Sequence, residues 1–174
     1  MMLDAGVYVT PTLSHRTDHA INIRRKIGTP EFTLKKMKKI QPYTFETFQR
    51  MREKGINIAM GTDLGFDPEM GTNANELEIY VNLGMDNAEA LQTTTINAAR
   101  ALKIDKQVGS IEEGKIADLV LVDGKPDEDV KVLQKKENIQ MVIKEGKIEV
   151  DRTEGKNKSP LTVKPGDWKI PDYL

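Results

Sequence analysis

The sequence predicts an α/β fold followed by a mostly β portion. A strand–helix–strand order runs through the first sixty-odd residues, and short glycine-punctuated strand segments take over after residue 107. The first strand is read at residues 6–13, GVYVTPTL, where β-branched and aromatic side chains alternate and Pro11 closes the run. Residues 14–28 carry His15, His19 and Gly28 among polar groups and predict a loop with at most a short helix. Thr29-Pro30-Glu31 then reads as a helix start, with Thr as N-cap, Pro in the first turn and an acid beside the positive end. That helix is expected to run to about Ile40. Pro42 begins a second one, with Phe45, Phe48 and Met51 on a buried face and Gly55 just past its end. INIAMGTD, residues 56–63, is an apolar run of strand length and suits a strand buried on both faces of a parallel sheet. Two such strands joined through a helix make a βαβ unit, for which a right-handed crossover is expected.

Beyond it, residues 64–75 are rich in Gly, Asp, Pro and Asn and predict a loop. Helices are expected at about 75–83 and 87–103. Turn signals then cluster at Gly109, Gly114 and Gly124, and ADLVLVD reads as a strong strand. A short helix near 128–135 leads into IQMVIKEGKIEV, a hairpin turning on Glu145-Gly146. The chain divides into an α/β portion (1–105), a mostly β portion (106–150) and a polar irregular tail (151–174) in which Trp168 and Tyr173 are candidate anchors.

At 38% hydrophobic and 30% charged, the composition suits a soluble globular protein. A net charge of −1 gives no overall field for nucleic acid or an anionic membrane, and the absence of Cys excludes disulfides and thiolate metal sites. Every apolar run falls well short of the ~20 residues that span a bilayer. With no signal-peptide pattern at Met1, a cytoplasmic location is expected. Phosphate-binding glycine loops, nucleophile elbows and Walker patterns are all missing.

Few residues are left to carry chemistry. Asp63 ends a predicted strand, where an acid is often only a turn or cap residue. His15 and His19 stand four apart: on one helix they could pair on a metal, and in a loop they could touch substrate or simply be solvated. The basic residues between Arg24 and Lys39 read first as the solvated face of an outer helix and second as a contact for nucleic acid or an acidic partner. Thr93, Thr94 and Thr95 could polarise a group, but burial in a packed helix explains them equally.

Three segments in order resemble the amidohydrolase superfamily, in particular its imidazolonepropionase-like and prolidase-like branch. They are IAMGTD ending in Asp63, the stretch from Glu76-Leu77 through GMDNAEALQTTTINAARAL, and GSIEEGKIADLVLVDGKP. GVYVTPTL is similar to the strand that precedes the first of them, and together they extend over roughly residues 3–150. The resemblance implies the last two β/α units of a metal-dependent (β/α)8 barrel plus the C-terminal part of a small β-sandwich domain. Functional side chains of such barrels sit at the C-terminal ends of strands. Asp63 is thereby implied as both catalytic acid/base and metal ligand, with Thr12, His15 and His19 on the substrate side. The implied activity is hydrolysis of C–N bonds in cyclic amides, imines or Xaa-Pro-type dipeptides, with a divalent metal, zinc first, as cofactor.

The departures from the pattern are as informative. The His-x-His pair of the family's first strand and the ligands of its middle strands have no counterpart here, and GTNANE lacks a His expected near that position. A barrel needs eight strands and ~250 residues. One carboxylate cannot hold a zinc ion that takes about four donors. The chain on its own is therefore expected to be inactive, to retain no metal and to form a homo-oligomer. The rival expectation is a non-catalytic oligomerising or partner-binding domain derived from that fold. A phosphoacceptor domain using Asp63 is weaker, because the sequence lacks the full five-strand alternation that such a domain needs.

Overall fold

A computed structural model describes residues 1–63 and 71–153. Most of the expected loop at 64–75 and nearly all of the tail, with Trp168 and Tyr173, lie outside the described residues.

The βαβ unit is present, with shorter strands than expected. β1 (Tyr8–Val9) and β2 (Asn57–Ile58) pair in parallel, Tyr8 opposite Asn57 and Val9 opposite Ile58. The pairing extends by one bond, from Ala59 N–H to the Val9 carbonyl at 3.0 Å. Beyond it, Met60 N–H bonds to the Thr93 carbonyl at 2.9 Å, and the Asn97 side chain donates to the Ile58 carbonyl at 3.2 Å. The edge of β2 thus meets helix ends, which is why so apolar a run forms so little regular strand.

Between the strands the chain is more helical than the sequence suggested. A 3-10 turn at Leu13–Arg16 leads into α1 (Asp18–Lys26). The Thr17 side chain caps α1 by accepting from Ala20 N–H at 3.1 Å. The expected cap at Thr29 is not used: Thr29 N–H bonds back to the Arg24 carbonyl at 2.9 Å, so this residue closes α1. Pro30 occupies the cap position of α2 (Glu31–Glu53). The two helices expected on either side of Pro42 are one. Leu34, Met37, Gln41 and Phe48 lie buried along one face of α2, while Pro42 falls on the exposed side. A proline ring removes one backbone bond there, and packing of the opposite face outweighs the loss.

α3 (Asn75–Asn82) starts where expected. The helix expected at 87–103 is split at Thr95 (φ −116°, ψ −99°) into α4 (Asn87–Thr94) and α5 (Ile96–Ala101). Thr93, Thr94 and Thr95 each donate to a carbonyl of α4, to Ala90, Leu91 and Leu91. This is the ordinary role of threonine near a helix end.

β3 (Leu119–Val122), β4 (Ile139–Lys144) and β5 (Lys147–Asp151) form an antiparallel sheet in sequence order. The hairpin turns on Glu145 (φ 52°) and Gly146 (φ 75°), the pair of positive angles that a two-residue turn demands. The helix expected near 128–135 is a 3-10 turn at Val130–Gln134. The Asn87 side chain holds it to α4, donating to the Glu128 carbonyl at 2.8 Å and accepting from Val130 N–H at 3.1 Å.

The main core joins Leu13, Phe48, Ile58, Leu77, Tyr80, Met85, Ala90 and Val130. Phe48 and Tyr80 stack with ring centroids 4.9 Å apart. Phe45 packs on this core at its margin, while Met51 is only half-buried. No described helix is long and apolar enough to cross a membrane.

Candidate functional site

The chain just past β1 and just past β2 carries two non-glycine residues with positive φ. Thr12 lies in the left-handed region (φ 48°, ψ 54°), and Asp63 has φ 53°. A β-branched residue is a clear outlier there, and such strain persists only where the surroundings enforce it. The two strand ends also approach closely. A side chain on Gly61 would meet Thr10 Cγ2 at 2.5 Å, so any larger residue there would have to displace the Thr10 side chain.

His15 bridges these ends. Its Nε2 donates to the Asp63 carbonyl at 2.7 Å, and its Nδ1 accepts from Arg24 Nη2 at 3.3 Å. Set against a carbonyl and a guanidinium, the ring fits the tautomer with the proton on Nε2 and with Nδ1 as acceptor. Asp63 itself is exposed at this end.

Beside the bridge is a cleft of about 260 Å³, lined among others by Ser14, His15, His19, Asn75, Glu78 and Gln134. His15 and His19 belong to separate helical segments, yet both face this cleft. Their convergence does not come from the one-helix spacing that suggested it. Thr12 and Asp63 do not line the cleft. Gln134 reaches from the 3-10 turn before β4 and donates to Glu78 Oε2 at 2.7 Å.

The side chain that the sequence reading passed over is Glu76. It is fully buried, with 0% exposure. Its Oε1 accepts from Leu13 N–H at 2.6 Å and its Oε2 from Ser14 N–H at 2.7 Å. The signal was legible: Glu76, Leu77 and Tyr80 fall on one helical face, so an acid stands on the face that turns inward. The Tyr80 hydroxyl lies beside Glu76 and the Gly61 backbone without full hydrogen-bond geometry to a described partner. Burial, and then the Glu76 charge, push its phenol well above the usual tyrosine range.

Among the described residues, no three His, Cys, Asp or Glu side chains gather closely enough to hold a metal ion. The donors in hand therefore do not fit a complete metal site on their own.

Functional side chains of α/β barrel enzymes stand at the C-terminal ends of parallel strands, and Thr12 and Asp63 follow the C-terminal ends of β1 and β2. The family follows from comparison: a profile of the Amidohydrolase family matches residues 1–148, and the chain belongs to that family. It is 34% identical over 142 residues to a 5-methylthioadenosine/S-adenosylhomocysteine deaminase of Thermoanaerobacter pseudethanolicus, covering 69% of this chain and 31% of that protein. It is 35% identical over 124 residues to an imidazolonepropionase of Caldanaerobacter subterraneus subsp. tengcongensis, covering 68% and 29%. The crystal structure of a Xaa-Pro dipeptidase with methionine bound in its active site superposes with a TM-score of 0.74 at 38% identity, covering 84% of this chain and 35% of that one. The chain thus spans about a third of the length of these relatives.

Proposed function

We propose that this chain forms the C-terminal part of a metal-dependent amidohydrolase that cleaves C–N bonds, with Xaa-Pro-type dipeptides or small cyclic amides as substrates. In this reading residues 1–105 supply the last two β/α units of a (β/α)8 barrel, and 106–150 supply part of a β-sandwich beside it. Asp63 is the carboxylate that serves the reaction. It takes a proton from the attacking water and returns it to the leaving nitrogen. Thr12, His15 and His19 line the substrate side. A divalent metal, with zinc the expected ion, belongs to the larger catalytic unit, and the described residues do not hold it alone.

The observation that carries the reading is the bond from His15 Nε2 to the Asp63 carbonyl, 2.7 Å long. It joins two residues 48 apart in sequence, both picked out for chemistry, at one end of one parallel strand pair. The test is a chimera in which this chain replaces the matching segment of an active Xaa-Pro dipeptidase. Assayed with added zinc, it is expected to turn over Xaa-Pro dipeptides or cyclic amides. A folded chimera that hydrolyses neither class overturns the reading.

The rival, a non-catalytic assembly domain, draws on the exposed apolar side chains of the antiparallel sheet. Val120 is 56% exposed and Ile148 59%.

A further inference from the structure

We infer that Glu76 is a positioning residue whose buried carboxylate fixes the turn after β1 and thereby sets His15 against Asp63. The inference rests on reading Asp63 and His15 as parts of one site, and it adds a role for a side chain that touches neither of them.

Packing alone does not account for an acid at this place. Glu76 is wholly buried beside Leu77 and Tyr80, where an apolar side chain of similar size would avoid the cost of dehydrating a carboxylate. A carboxylate offers what a hydrocarbon cannot: two oxygens in a fixed fork, each able to accept. Both are used. They take the N–H groups of Leu13 and Ser14, at 2.6 and 2.7 Å, across more than sixty residues of chain. These N–H groups open the 3-10 turn and have no partner within it.

Three features then depend on the clamp. Thr12, one residue before it, is held in its left-handed conformation. Ser14 Oγ donates to the Thr62 carbonyl at 3.5 Å, a long bond that reaches the end of β2. His15, one residue after it, presents Nε2 to the Asp63 carbonyl and Nδ1 to Arg24. Fixing the turn therefore fixes the imidazole's position and its tautomer.

The test is NMR spectroscopy of this chain and two variants, with no turnover involved. In the unaltered chain the Leu13 and Ser14 amide protons are expected far downfield and slow to exchange, and the His15 ring nitrogens are expected in the Nε2–H pattern. In Glu76→Gln only one oxygen remains, so at least one downfield amide is expected to be lost. His15 is then expected to show a mixture of tautomers, while the His19 signals stay as they were. Glu76→Asp keeps the charge but withdraws it by one methylene, and is expected to do the same should the glutamine variant not fold.

A folded variant with unchanged His15 nitrogens overturns the inference even if its stability falls, because a purely structural acid would behave in that way. Ordinary shifts and fast exchange for Leu13 and Ser14 in the unaltered chain overturn it without any variant. Such failures leave the role of Asp63 untouched, since that role is tested by hydrolysis.

Discussion

Thr12 shows how much the surroundings impose on a single residue. Its left-handed backbone (φ 48°) costs on the order of 1–3 kcal/mol for a β-branched side chain. Thr12→Gly is expected to remove that strain, less the entropy that glycine adds to the unfolded chain, for a net gain of about 1 kcal/mol in denaturant unfolding. Substrate affinity in the chimera should fall with it, because the hydroxyl and methyl of Thr12 are lost from the substrate side. A gain in stability with unchanged affinity would remove Thr12 from the site. Tyr80 gives a second test at this scale. Its folded phenol holds its proton beyond 10.0, the value of a free tyrosine. Its contribution to stability is therefore complete below that pH and declines as pH rises above it. Unfolding measured from pH 7 to about 11 is expected to slope downward more steeply for the unaltered chain than for Tyr80→Phe. Equal slopes would mean that the hydroxyl is solvated.

At the scale of elements, the sequence was most legible where a local signal and the packing agreed. Gly55 past the end of α2 and Glu145-Gly146 in the hairpin fell where turn chemistry put them. Legibility failed where a distant contact decided the outcome. Pro42 reads as a helix boundary, yet the face formed by Leu34, Met37, Gln41 and Phe48 is buried on both sides of it, and α2 runs through. Because Pro42 is exposed, Pro42→Ala is expected to restore one backbone bond without disturbing the core. A rise of about 1–2 kcal/mol in unfolding free energy should follow, part of the propensity difference being offset by a freer unfolded chain. A loss would mean that the ring makes contacts of its own. The site was half legible for the same reason. Asp63 and His15 stand out as residue types at a strand end and after a strand. The helical face of Glu76, Leu77 and Tyr80 marks an acid turned inward, but the Leu13 and Ser14 N–H groups it accepts from lie more than sixty residues away, and no local pattern names them.

The whole molecule leaves apolar surface without cover among the described residues. Val120, Leu121 and Ile148 stand exposed on the antiparallel sheet, and Phe32 (76%) and Tyr43 (65%) on α2. Exposed faces of this kind drive association. Light scattering of the chain alone is expected to give a mass above 19.6 kDa, and Val120→Lys with Ile148→Lys should bring it down. A monodisperse monomer with cooperative unfolding would show that these faces are tolerated and would weaken the assembly reading.

The proposed chemistry falls to the Asp63 carboxylate, and the Asp63→Asn substitution tests that role directly. Steady-state hydrolysis of an Xaa-Pro dipeptide or cyclic amide by the active chimera is expected to lose about 10²–10⁴-fold in kcat, the range for removing a general acid–base group. The fold, followed by circular dichroism, should be unchanged because the side chain is exposed. Equal kcat for the aspartate and the asparagine forms would contradict the assignment.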